Sequence, residues 1–248
     1  MAAVAAVTLL ATAGLRRDFG GLRAVDNVDF ALEQGEIRAI IGPNGAGKTT
    51  FVSLICGRVR PIGGRIVFEG ADITNLPAHE RVNRGIAYTF QITSVYGNLS
   101  AFDNIALAAQ SSIGKRFRGA VAVVDVARRT GEALERVGLA DRRNVRAGDL
   151  AYGHQRLLEV AMGLALAPKL LILDEPTQGL SDSEIAGFCD LIRAIAAETT
   201  VLLIEHNMAV VMALAGKITV MNAGKILAEG SPEAVRADEA VQRAYLGG

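Results

Sequence analysis

Gly42-Pro43-Asn44-Gly45-Ala46-Gly47-Lys48-Thr49-Thr50 fits the spacing GxxxxGK[ST] and follows an apolar run, Glu36–Ile41. Glycines at these spacings let successive backbone N–H groups curl around phosphate oxygens without obstruction by a Cβ. A helix is expected from Lys48 to about Cys56, with Gly57 where a C-terminal cap belongs. Its positive N-terminal end then faces the same anion. Lys48 is placed to reach the β- and γ-phosphates, and the Thr49 hydroxyl to ligate Mg²⁺. The pattern also occurs by chance as a plain glycine turn. Its setting, after a strand and before a helix, is what points to nucleotide binding.

A nucleotide held in this way needs a carboxylate for its metal. The fully apolar run Leu170–Leu173 ends in Asp174-Glu175. Adjacent acids at a strand end can divide the work, with Asp174 on the metal side and Glu175 polarising the attacking water as general base. An acidic turn before Pro176 is the plainer alternative, which the phosphate loop upstream argues against. A second buried run, Val201–Ile204, ends in Glu205-His206. An imidazole there can hydrogen-bond the γ-phosphate and help fix the water.

Around these motifs, strands alternate with helices, which implies a mostly parallel, layered α/β architecture. Gly63-Gly64 opens a strand at Arg65–Phe68, and from about Pro77 to Leu150 the pattern turns helical. An apolar-striped helix is expected over Arg156–Ala167, halted by Pro168, and another over Asp182–Ala197. A further helix at about Met208–Ala215, a hairpin at Ile218–Ala228 and a helix start at Ser231-Pro232-Glu233 complete the expected elements.

Composition narrows the function classes. Half of the 248 residues are apolar and 21% are charged, which excludes global disorder. Twenty-six basic residues balance 26 acidic ones, against a role in coating nucleic acid or an anionic membrane. A mean hydropathy of +0.30 invites a membrane hypothesis. However, the longest uncharged run, Met1–Leu15, ends in Arg16-Arg17-Asp18 and falls short of the ~20 residues of a spanning helix. No basic residue precedes that run as a signal peptide would require, so an apolar first strand is expected. Cys56 and Cys189 are read as small buried hydrophobes of a reducing compartment.

Leu150-Ala151-Tyr152-Gly153-His154-Gln155, ahead of a helix and before Asp174, completes a pattern. Here the sequence resembles the ATP-binding subunits of ABC transporters, whose signature in this place is LSGGQ or a variant. The family's other motifs follow in its order. These are the phosphate loop, a Q-loop glutamine at Gln91 in Tyr88-Thr89-Phe90-Gln91, the signature, the Walker B strand with Asp174-Glu175, a D-loop at Gly179-Leu180-Ser181-Asp182, and the switch His206.

The resemblance implies a P-loop NTPase (RecA-like) α/β core with an antiparallel β subdomain. It further implies one ATPase domain over 1–248, with a helical subdomain at about 92–167. It places Gln91 with Thr49 and Asp174 at the metal, and Gln91 with Lys48, Glu175 and His206 in catalysis. Gly42, Pro43, Asn44, Gly45, Ala46, Gly47, Lys48, Thr49 and Thr50 then bind ATP with Mg²⁺. Leu150–Gln155 bind a second ATP across a head-to-tail dimer, and Phe19 is the adenine-stacking aromatic.

Three departures stand out. Ala151 lacks the signature serine's hydroxyl, His154 replaces the signature glutamine with a group titrating near neutral pH, and Phe19 replaces the usual tyrosine.

Arg17–Val25, Ile204–Met208 and the tail from Gly230 resemble the importer branch for branched-chain amino acids, urea, amides and small carboxylates. The partners so implied are a second ATPase chain, identical or different, two integral membrane permease subunits docking near the helical middle, and indirectly a solute-binding protein. Nucleic acid is not among them. The expected place is the cytoplasmic face of the plasma membrane. A soluble ABC ATPase of DNA repair or translation is the alternative, disfavoured by the absence of a second cassette or a coiled-coil insertion.

Overall fold

The computed structural model describes residues 7–89, 94–112 and 120–246. The chain divides into two compact units, residues 1–81 with 196–248, and residues 82–195.

In the first unit, β1 (Thr8–Phe19) and β2 (Leu22–Glu33) form a long antiparallel hairpin. β4 (Gly63–Phe68) pairs with the other edge of β1, and the two-residue β5 (Ala71–Asp72) pairs with β4. Alternation of buried and exposed side chains along β2 marks a sheet with one wet face. β3 (Ile37–Ile41) instead lies between two parallel neighbours, β8 (Thr200–Ile204) and β9 (Lys217–Asn222), and is buried from Arg38 on. Parallel neighbours on both edges suit its apolar residues, and the buried Arg38 is satisfied by Thr219 and Glu229. β9 turns into β10 (Lys225–Gly230) through Ala223 and Gly224, both at positive φ, as a tight hairpin requires.

Helix α1 (Lys48–Ile55) packs Phe51 edge-on against Phe30 of β2, with ring centroids 5.4 Å apart. α2 (Ala78–Asn83) begins in this unit and carries the fully buried Arg81. Val211 of α7 (Met208–Leu214), Val235 of α8 (Pro232–Ala237) and Val241 of α9 (Glu239–Leu246) close over Ala39, Ile41 and Val220. Asn207 caps α7 and Ser231 caps α8, with Pro232 at the first helical position.

In the second unit, β6 (Ile86–Thr89) runs parallel to β7 (Leu170–Asp174). Three helices pack together beside them: α3 (Ala101–Ser112), α4 (Ala120–Arg136) and α5 (Tyr152–Ala165). Their buried residues recur at helical spacing, as in Ala101, Ile105 and Ala109, or Thr130, Ala133, Leu134 and Val137. α6 (Asp182–Ala196) buries Phe188, Cys189, Ile192 and Ile195.

The strand β6 departs from the helical expectation for 77–150. Its four residues are too few to show a period, and their extended state comes from pairing with β7. The last helix before Pro168 also starts earlier than expected. Tyr152 opens it, so the signature residues Tyr152–Gln155 form its first turn. Among the described residues, no helix is long and apolar enough to cross a membrane.

Candidate nucleotide site and its family

In the first unit, the parallel register Ile40↔Ile204 brings Gly42 and His206 past the same end of β3 and β8. The intervening loop is tightly built. A Cβ at Gly42 would strike the Met221 carbonyl, and one at Gly47 would strike the Ala24 carbonyl. Gly42, Gly45 and Gly47 all have positive φ, while Gly45 faces open space. The Gly224 amide donates to the Ala46 carbonyl at 3.0 Å, tying the β9–β10 turn to the loop. Pro43, Asn44 and Thr50 complete its contour, with Asn44 and Thr49 exposed.

Gly47 stands at the N-cap of α1 and brings no side-chain cap to its first-turn amides. Lys48 is buried and folds back across the loop, its Nζ donating to the Gly42 carbonyl at 2.7 Å and the Pro43 carbonyl at 3.1 Å. Turn amides, a helix N-terminus and one ammonium form a donor set that fits a polyphosphate.

His206 is exposed, and the turn beneath it is fixed by Glu205, whose Oε2 accepts the amides of His206 and Asn207 at 3.0 and 3.1 Å. Phe19 ends β1 and is 44% exposed, with the Arg17 guanidinium 4.6 Å from its ring centroid. One ring face therefore carries a cation, leaving the other for stacking.

In the second unit, Asp174 ends the wholly buried β7 and is 1% exposed. Tyr88 Oη donates to its Oδ2 at 2.6 Å. Tyr88 was legible only as a neighbour of Gln91, and this bond identifies it as the group orienting the carboxylate. Glu175 sits at φ 49°, a left-handed conformation rare outside glycine and costing on the order of 1 kcal/mol. Gln91 lies outside the described residues.

The signature is held from two sides. Gln155 Nε2 donates to the carbonyls of Ala147 and Leu150, both at 3.1 Å, locking the bend into α5. Ala151 is the N-cap of α5 and offers no side-chain acceptor. Glu184 caps α6, its Oε2 accepting the Ser181 amide at 2.9 Å and the Ser181 hydroxyl at 2.6 Å. Those bonds, with a smaller contribution from His154, hold the Glu184 carboxyl below its usual range. A Cβ at Gly153 would collide with that same carboxylate. A side chain there would have to displace the Glu184 carboxylate from its place at the start of α6. Tyr152 lies against Gly179, where a Cβ would come within 2.9 Å of its ring.

The model of the ABC transporter family matches residues 25–178, more than half of the chain. The chain belongs to the ABC transporter ATP-binding family. A second model, of the branched-chain amino acid ATP-binding cassette transporter, matches residues 225–248.

This cassette is 38% identical to the high-affinity branched-chain amino acid transport ATP-binding protein of Pseudomonas aeruginosa, over 96% of this chain and 98% of that one. Its counterpart in Escherichia coli K12 is 39% identical over the same shares. The lipopolysaccharide export ATP-binding protein of Haemophilus influenzae is 31% identical over 97% of this chain and 98% of that one. A crystal structure of a nucleotide-free ATP-binding cassette from an ABC transporter superposes with a TM-score of 0.86. It is 27% identical and covers 98% of this chain and 100% of its own. The cassette is an ATPase with the P-loop NTPase fold expected from its motifs.

Proposed function

We propose that this cassette is the ATP-hydrolysing motor subunit of an importer for branched-chain amino acids or a related small polar solute such as urea, an amide or a carboxylate. The observation carrying this reading is the C-terminal match over 225–248, a family specific to branched-chain amino-acid cassettes, beside 38–39% identity to such proteins along the whole chain. In this reading residues 1–248 are one nucleotide-binding domain, with the helical subdomain at about 92–167 given over to its partners.

The site residues carry these roles. Amides of Gly42–Thr50 and the Lys48 ammonium bind the β- and γ-phosphates, while Phe19 stacks on the adenine. The Thr49 hydroxyl, Asp174 and Gln91 are the groups that would hold Mg²⁺, all oxygen donors suited to a hard cation. When bound, the cation neutralises charge on the phosphates. Tyr88 keeps Asp174 oriented. Glu175 takes a proton from the attacking water and His206 fixes that water against the γ-phosphate. Leu150–Gln155 bind the ATP of a second cassette, using amides at the start of α5 because Ala151 has no hydroxyl. Nucleotide shared by two chains favours their closure, and hydrolysis removes the bridge.

Tyr96, Leu107, Val123 and Val124 stand 45–69% exposed on the helical part, which supports docking of two permease subunits there. The protein would then work peripherally, at the cytoplasmic face of the plasma membrane.

Reconstitution with the permease subunits and a solute-binding protein tests the reading. Uptake of leucine, isoleucine or valine, or of a related small polar solute, driven by ATP is expected. ATP hydrolysis indifferent to every such solute and to the membrane subunits would contradict it.

A further inference from the structure

The second unit contains a buried ion pair that the roles above leave unused. Arg156 and Glu159, three residues apart on α5, are 3% and 6% exposed. Arg156 Nη1 donates to Glu159 Oε2 at 3.0 Å. Glu159 Oε1 accepts the backbone amide of Ser94 at 2.6 Å. Each carboxylate oxygen thus has its own donor, one on the helix and one on the chain at Ser94. Burial pushes the Glu159 carboxyl up, while the Ser94 amide and Arg156 pull the other way. A desolvated carboxylate with two charge-assisted bonds is a stiff connector.

The connection continues at both ends. The Arg156 guanidinium lies 5.5 Å from the ring centroid of Tyr152, the signature residue that packs on Gly179 of the D-loop. Beyond Ser94, Asn104 of α3 grips Tyr96 from both sides, accepting its amide at 2.8 Å and donating to its carbonyl at 3.1 Å. The same stretch is laced to the approach to the signature. The Gly148 amide donates to the Gly97 carbonyl, the Ala147 amide to the Leu99 carbonyl, and the Ala101 amide to the Val145 carbonyl. Chain leaving the Gln91 segment is therefore fastened to α5 by a side chain and to residues 145–148 by backbone.

We propose that Glu159 is a positioning residue for ATP hydrolysis: through Ser94 on one side and Arg156–Tyr152 on the other, it fixes the chain from Ser94 to Leu99, which follows Gln91 in sequence, to the signature helix. The inference rests on the ATPase reading above. Glu159 touches no nucleotide in this account. Its loss is expected in turnover rather than in ATP affinity, because the loop that binds the chain's own ATP, Gly42–Thr50, belongs to the first unit.

The test uses two variants that attack the Ser94 bond from opposite ends. Ser94→Pro removes the amide donor at an exposed position and leaves Arg156–Glu159 intact. Glu159→Gln is isosteric and retains an acceptor for Ser94 while weakening the pairing with Arg156; Glu159→Ala removes both. Steady-state ATP hydrolysis is measured with the full chain, well below each variant's melting temperature, alongside the Kd for ATP. Ser94→Pro and Glu159→Ala are each expected to lower kcat about tenfold with Kd changed less than twofold. The double variant should be no slower than either single one, since both break one connection. Glu159→Gln should fall between wild type and Glu159→Ala.

Multiplying losses in the double variant would overturn the proposal. So would unchanged kcat in Ser94→Pro, or losses confined to melting temperature or Kd. A wild-type chain that neither binds nor hydrolyses ATP would instead overturn the ATPase reading on which the proposal stands.

Discussion

Replacing Arg81 by Met probes how the helix behind the phosphate loop is anchored. Arg81 is 1% exposed, and its hydrogen bonds among the described residues go to backbone carbonyls. Its Nη1 donates to the Leu54 and Ile55 carbonyls at 2.6 and 2.8 Å, its Nη2 to Thr74 and its Nε to Leu76, both at 2.9 Å. Leu54 and Ile55 end α1, so the guanidinium neutralises the negative end of the helix whose other end adjoins Gly42–Gly47. Burial lowers the Arg81 pKa, with a smaller opposing effect from Cys56, and the cation persists because a guanidinium deprotonates only in strong base.

In Arg81→Met the Leu54 carbonyl keeps the Gly57 amide, at 3.2 Å, while Ile55, Thr74 and Leu76 lose a charged donor. At about 1.5 kcal/mol for each such bond the loss is ~4–5 kcal/mol, and relief of guanidinium desolvation returns ~1–2. A net destabilisation of ~3 kcal/mol is expected, read as a drop in the urea midpoint of circular dichroism at constant slope. Arg81→Lys, with a single ammonium in place of the fork, should fall between the two. A Met variant within ~0.5 kcal/mol of wild type would refute the assignment of these carbonyl bonds as the anchor of α1.

Other expectations follow from single contacts. Gly47→Ala would drive a Cβ into the Ala24 carbonyl, so ATP binding by isothermal titration should be lost; wild-type affinity would contradict the loop geometry. Lys48→Ala should lose most ATP affinity, and unchanged binding would remove the phosphate-loop reading. Glu184 has a folded-state pKa below its ordinary 4.5, so its contribution to stability is present above that value and lost as pH falls through the lowered one. Wild type should therefore be more stable than Glu184→Gln at pH 7, with the gap closing in acid. A gap that persists or widens as the pH is lowered would contradict the cap.

Much of this arrangement was legible in the sequence because its signals are local. Glycines at fixed spacing made the phosphate loop, Asp174 was expected at the end of an apolar run, and Ser231-Pro232 announced α8. Features made by distant residues were not legible. The four-residue β6 shows no period of its own and is extended because it pairs with β7. Nothing in the sequence distinguishes Arg156 and Glu159 from a surface i,i+3 pair; packing buries both. Arg81 likewise gives no sign that its partners are carbonyls 26 and 27 residues upstream. The left-handed turn at Glu175 is set by the chain around it, since glutamate has no preference for positive φ.

The central claim is that Glu175 hydrolyses ATP in a cassette that closes on a second one. The most direct measurement combines ATP turnover and sedimentation velocity of Glu175→Gln with Mg²⁺ and ATP. The variant is expected to bind ATP, to turn over at least about a hundredfold more slowly than wild type, and to accumulate as a dimer while nucleotide persists. Near-normal turnover by Glu175→Gln would contradict it.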